Sequence, residues 1–105
     1  MKISYQVSPY YGETEEMHMW TAIDDGTVIG GLWADLYTGQ IMQIEVDEDR
    51  RGEGIARALY ETAAAQVDIY HAPPEHRTPE GDAFATAVGG PTISAALAYQ
   101  PEEQE

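Results

Sequence analysis

The chain has no cysteine, only one lysine, and no apolar run near the ~18 residues that a membrane-spanning helix needs. Without cysteine there is no disulfide framework, no thiolate nucleophile and no cysteine zinc site. Positive charge is scarce: five basic side chains stand against nineteen acidic ones among 105 residues, a formal net charge of −14. A protein that coats phosphate backbones non-specifically needs a lysine and arginine surface, so no nucleic-acid binding is expected. A polybasic membrane binder is excluded for the same reason, and no membrane partner is expected. The first residues lack the apolar core of a signal peptide. These absences lead to the expectation of a cytoplasmic protein with a single domain over residues 1–100 and an acidic tail over 101–105. Monomer and homodimer both remain open.

What is present is acid, and acid has three readings. It is a solvated surface, a lure for a cationic substrate or partner, or a mimic of nucleic acid. The few positive charges say more. Arg50, Arg51 and Arg57 are three of the four arginines and fall within eight residues. In so negative a molecule the cluster leads to the expectation of a bound anion.

Along the chain, Ile3, Tyr5 and Val7 alternate with Lys2, Ser4 and Gln6, a strand pattern. A polar connection from Pro9 through Glu16 follows. A second strand runs from Met17 to Ile23, and Asp24-Asp25-Gly26 is a hairpin turn, since aspartate and glycine tolerate positive φ. A third strand extends from Thr27 to about Tyr37, its Gly30-Gly31 pair marking a bulge. Thr38-Gly39 turns into a fourth strand, Gln40 to Val46, with Met42, Ile44 and Val46 on one face. The period then becomes helical: Ile55, Ala58, Leu59, Thr62, Ala63 and Gln66 share one face. Val67 to Tyr70 reads as a short buried strand. Residues 80–88 read as a second helix stopped by Gly89-Gly90-Pro91, and 92–99 fits strand or helix equally. The expected class is α+β, close to α/β: a mixed, mainly antiparallel sheet, a central helix after the fourth strand and a short helix after the fifth.

The segment from Val46 to Ala56 passes from strand through loop to helix. Gly52 and Gly54 let backbone amides turn toward one point, where the helix begins with unpaired N–H groups and its positive dipole end. That is an anion cradle suited to a diphosphate. It is not a Walker loop, because no Gly-Lys-Ser/Thr follows. It is not a Rossmann fingerprint either, because the glycine spacing differs and the preceding strands form a hairpin series.

Arg51-Gly52-Glu53-Gly54-Ile55-Ala56 resembles the Arg/Gln-x-x-Gly-x-Gly/Ala signature of the GNAT superfamily of acetyl-CoA-dependent N-acetyltransferases. Ile44 and Val46 upstream, and Ala58-Leu59 in the helix, stand where that pattern expects them. The resemblance spans roughly residues 1–90. It implies acetyl-CoA as donor co-substrate and a coenzyme site comprising Ile44, Val46, Arg51, Gly52, Glu53, Gly54, Ile55, Ala56 and Arg57. Amides of residues 51–56 would hold the pyrophosphate, and the Val46 backbone would pair with the pantetheine arm where the fourth and fifth strands splay apart. The chain departs from the family in three ways. It resembles the short members that lack helices between the first two strands, which implies an open acceptor site or one completed by a partner. Glu48 and Glu53 occupy loop positions often held by proline and a basic residue, which weakens the hold on the coenzyme. The family's Asn-x-x-Ala-x-x-x-Tyr positions read Thr78, Gly81 and Ala85 here, so the tyrosine that protonates the leaving thiolate is missing.

Acetyl transfer to an amine needs a base for the ammonium proton, an N–H donor for the oxyanion and an acid for the thiolate. The resemblance implies the Val46 amide as the oxyanion donor. Glu45 alternates to the face opposite Val46 and is the candidate base. His71 and His76 flank the end of the expected fifth strand and are candidate acids or bases. A His71–His76 metal pair is disfavoured by the two prolines between them and the lack of a third ligand, so no metal is expected. Thr78 reads as a helix cap with Pro79 after it. Arg77 reaches either a coenzyme phosphate or a carboxylate. Trp20, Trp33 and Phe84 read as core, and Tyr10 and Tyr11 as acceptor or partner contacts.

Two functions are therefore expected in contest. One is a minimal N-acetyltransferase moving acetyl to a primary amine, either a cationic small molecule or a protein lysine or amino terminus. The other is a weak or inactive acidic interaction protein, an inhibitor or nucleic-acid mimic that engages a basic partner.

Overall fold

The structure, a computed structural model, describes residues 1–98. The expected acidic tail, and residue 99 at the end of the ambiguous segment, lie outside the described residues. Four strands form one antiparallel meander in the order β1-β2-β3-β4: β1 Lys2–Pro9, β2 Glu16–Asp24, β3 Thr27–Asp35 and β4 Ile41–Val46. The helices are α1 Ile55–Gln66 and α2 Pro79–Val88. The β2–β3 turn is the expected one, with Asp25 at φ 51° and Gly26 at φ 77°. Two consecutive positive φ values give the mirror-image turn whose twist suits a hairpin.

Alternation decides which residues meet α1. Trp20, Ala22, Leu32 and Ala34 pack with Ile55, Leu59, Tyr60 and Ala63 in the main core. The Trp20 indole donates to the Gln66 side chain at 2.9 Å, which satisfies its one polar atom. The opposite face carries a smaller cluster of Met17, Met19 and Trp33, with Tyr10 and Met42 against it.

Four expectations change here. β3 ends at Asp35, whose carboxylate accepts from the Tyr37 and Thr38 amides and starts the turn. Its bulge lies at Ile29, because the pairing passes from Ala22–Gly30 to Ile23–Val28, so the glycines follow the bulge. Met42 does not share a face with Ile44 and Val46. Pairing shifts from Trp33–Gln43 to Ala34–Ile41, so Met42 is the extra residue and turns to the Trp33 side. Finally, Val67–Tyr70 supplies only a parallel bridge from Tyr70 to Gln40, with a second from His71 to Thr92. Ile69 is nonetheless buried as expected. The segment touches the sheet once and then parts from it.

Candidate functional site: an open strand edge beside a glycine loop

That single touch leaves β4 as an edge strand over most of its length. The Asp47 amide donates inward to the Ile29 carbonyl at 2.9 Å. N–H groups alternate direction along an antiparallel strand, so the Val46 and Ile44 amides face the free edge. Gly30 makes room for this strand: a Cβ there would lie 2.8 Å from the Glu45 carbonyl oxygen and against Ile55 and Leu59. The edge opens into a groove of about 1190 Å³. β4, the Arg51–Arg57 loop and helix start, and the 71–88 segment form its walls.

The glycine loop is built as the sequence implies. Gly52 and Gly54 have φ 84° and 82°, a region that other residues enter only with strain, and open space surrounds the position of a Cβ at each. Gly54 caps α1 without any side-chain hydrogen bond, and no acidic side chain occupies the first turn. The first intrahelical bond runs from the Ala58 amide to the Gly54 carbonyl. The Ile55, Ala56 and Arg57 amides therefore precede the helical ladder and point toward the groove end. A diphosphate fits such a set of donors.

Of the three arginines expected at an anion site, two are engaged with carboxylates. Arg50 donates to Asp24 at 2.8 Å and to both Glu53 oxygens at 3.1 Å. Those bonds hold the Asp24 carboxyl below its usual range and raise the Arg50 guanidinium further. Arg57 lies 3.7 Å from Glu61 and donates to the Ala87 carbonyl of α2 at 3.0 Å. Among the described residues Arg51 alone of the three meets no carboxylate, and it donates to the Val46 carbonyl at 3.3 Å. Glu53, expected to weaken anion binding, is itself tied up by Arg50.

Glu45 is exposed on the Trp33 face of β4, and the Tyr10 hydroxyl donates to its carboxylate. That bond is the leading reason the Tyr10 hydroxyl is raised above its usual value. Tyr10 and Tyr11 both lie edge-on to Trp33, with ring centroids 5.0 and 5.5 Å away. The short connection between β1 and β2 thus brings the Tyr10 hydroxyl to the Glu45 carboxylate, an arrangement set by tertiary contact across 35 residues.

The two histidines separate. His71 is buried, stacked on Tyr60 at 5.2 Å and 6°, and its Nε2–H donates to the Gly89 carbonyl at 2.6 Å. A carbonyl only accepts, so Nε2 carries the proton. His76 is exposed at the end of a 3-10 turn, Pro74–His76, and also lines the groove. Among the described residues no three histidine, cysteine or acidic side chains are placed to hold a metal. Arg77 resolves in favour of structure. It donates to the Ala72 carbonyl at 2.7 Å, Asp82 at 2.9 Å and the Thr92 hydroxyl at 2.8 Å. Thr78 caps α2 by accepting from the Gly81 amide at 3.0 Å, and Ala85 lies on the buried side of that helix. Among the described residues no helix is long and apolar enough to cross a membrane.

Residues 3–69 match the sequence model of the acetyltransferase (GNAT) family. Among solved structures the chain is similar to the ribosomal-protein-alanine N-acetyltransferase from Brucella melitensis biovar Abortus 2308. The TM-score is 0.56 at 23% identity, covering 84% of this chain and 71% of that one. No curated protein sequence matches.

Proposed function

Because this chain belongs to the GNAT family of acetyltransferases, we propose that it transfers acetyl from acetyl-CoA to a primary amine. The observation that carries the reading is the free edge of β4 running into a glycine loop whose helix start has no side-chain cap among the described residues. In this reading the Ile55–Arg57 amides, with Gly52, Gly54 and Arg51, hold the pyrophosphate. Ile44 and Val46 pair with the pantetheine arm. Glu53 stays in the site as the residue that neutralises Arg50.

In the reaction, Glu45 takes a proton from the acceptor ammonium, and the amine nitrogen bonds to the thioester carbonyl carbon. The Val46 N–H donates to the oxyanion that develops there. The carbon–sulfur bond then breaks, and the departing sulfur needs a proton. His76, exposed on the groove wall, is the candidate donor. His71 is the second candidate, with its Nε2–H already committed to Gly89. Tyr10 donates to Glu45 and orients it, and Tyr10 and Tyr11 supply an acceptor wall in place of longer inserted elements. Nineteen acidic residues favour a cationic acceptor by long-range attraction. The structural neighbour is named for acting on a ribosomal-protein alanine, which supports a protein amino terminus as one acceptor. The reading includes a single domain and a cytoplasmic setting.

A second reading, an acidic protein of this fold that binds a basic partner with little turnover, is favoured by one observation. Ala85 is buried where the family resemblance expects the proton-donating tyrosine. Thiol release from acetyl-CoA with a panel of amines separates the two. The first reading predicts amine-dependent release that Glu45→Gln lowers by about 10²–10⁴-fold, the usual worth of a positioned base. Absence of release with every amine, while acetyl-CoA still binds, leaves the second.

A further inference from the structure

We propose that the outer edge of β1 pairs with β1 of a second copy of this chain, joining two four-stranded sheets into one. β1 ends the sheet, pairs with β2 along its whole length without a register shift, and offers its other edge to no strand among the described residues. Natural sheets protect such an edge with central prolines, bulges or charges. β1 has none of these within it: its sequence is Lys-Ile-Ser-Tyr-Gln-Val-Ser-Pro, with lysine first and proline last.

Self-complementarity of the strand, on a strip free of acid, points to a second copy as the occupant. Each chain carries −14, so two copies repel wherever their carboxylates face one another. Residues 1–12 contain no acidic side chain. Tyr5 and Val7 are 45% and 43% exposed on this strip. Tyr5 stands against Trp20 at 5.1 Å and its hydroxyl shares a hydrogen bond with His18 Nδ1 at 2.8 Å, which anchors the strip on its inner side. A two-fold axis at Gln6 sets Tyr5 beside the second copy's Val7 and Ser4 beside its Ser8. No like charges meet in that register, and the apolar side chains that each copy exposes cover one another.

The test is the solution mass of the full chain by light scattering and sedimentation, from micromolar to millimolar protein. The expected result is a species of twice 11.6 kDa whose dissociation constant falls as salt is added, because salt screens the repulsion between the two bodies. Tyr5→Lys and Val7→Lys each return the mass to 11.6 kDa with circular dichroism unchanged, while Tyr37→Lys, at an 89%-exposed turn residue, leaves the dimer intact. A monomer throughout, or a dimer indifferent to Tyr5→Lys and Val7→Lys, overturns the proposal. So does a dimer that weakens with salt. A monomer that pairs only after residues 99–105 are removed assigns the edge to that segment instead, and also overturns it.

Discussion

Arg50, in the loop before α1, donates to the Asp24 carboxylate at 2.8 Å and so ties the glycine loop to the β2–β3 turn. The same guanidinium grips Glu53, which lies between the two loop glycines. Arg50 therefore shapes the glycine loop without belonging to the proposed anion site. Arg50→Ala is expected to weaken acetyl-CoA binding several-fold through loss of loop order, an effect of the size that positioning changes carry. Arg51→Ala weakens it through loss of a direct cation. Asp24→Asn separates the two, because it should reproduce the Arg50 effect and leave that of Arg51 additive. Calorimetric titration of the single and double variants reads this directly.

Gly30 sets the distance between β4 and α1. A Cβ at this position meets the Glu45 carbonyl oxygen at 2.8 Å, a backbone atom that cannot move without β4. Gly30→Ala should destabilise the fold by about 1–3 kcal/mol, the range for forcing atoms into a packed core. Gly12→Ala, where a Cβ would meet nothing within 4 Å, tests the strain of positive φ by itself and should cost about 1 kcal/mol. Urea denaturation midpoints of the two variants compare them.

Much of the architecture was legible in local pattern. α1 runs over the same Ile55–Gln66 that the helical period marks, and Asp24-Asp25-Gly26 and the Thr78 cap behave as their chemistry requires. Local pattern failed where a remote partner decides. Met42 has the parity of Ile44, yet a pairing slip against β3 sends it to the other face. The arginine cluster looked like free positive charge, but Arg50 is met by Asp24 from 26 residues away. Tyr10 and Glu45 come together only because the sheet folds the first connection over β4.

His18 makes stability depend on pH. Burial depresses its imidazole below the ordinary 6.5, with Asp35 opposing more weakly. The unfolded chain therefore takes up this proton at higher pH than the folded one does. His18 contributes its full stability above about 6.5, and that contribution is lost as pH falls toward the folded value. Urea midpoints should drop between about pH 7.5 and pH 5, and His18→Asn should flatten that drop.

Arg77 is a structural staple between the 72–77 segment, α2 and Thr92, with its side chain only 11% exposed. Arg77→Met should lower stability by about 2–3 kcal/mol, since charged hydrogen bonds are lost and the half-buried Ala72 carbonyl loses its donor. Acetyl-CoA affinity measured below the melting range should stay the same. A large loss of affinity at unchanged stability would assign this arginine to the coenzyme phosphates.

In the proposed function the β4 edge and the glycine loop together hold acetyl-CoA. Thermal unfolding followed across an acetyl-CoA titration tests it most directly. A ligand bound only by the folded state adds about 2.7 kcal/mol at 100 times its dissociation constant. The wild-type chain should be stabilised by that order, and Gly52→Val and Gly54→Val, which fill the open space at φ 84° and 82°, should abolish the shift. No stabilisation at millimolar acetyl-CoA, or an equal shift in both glycine variants, would contradict the account.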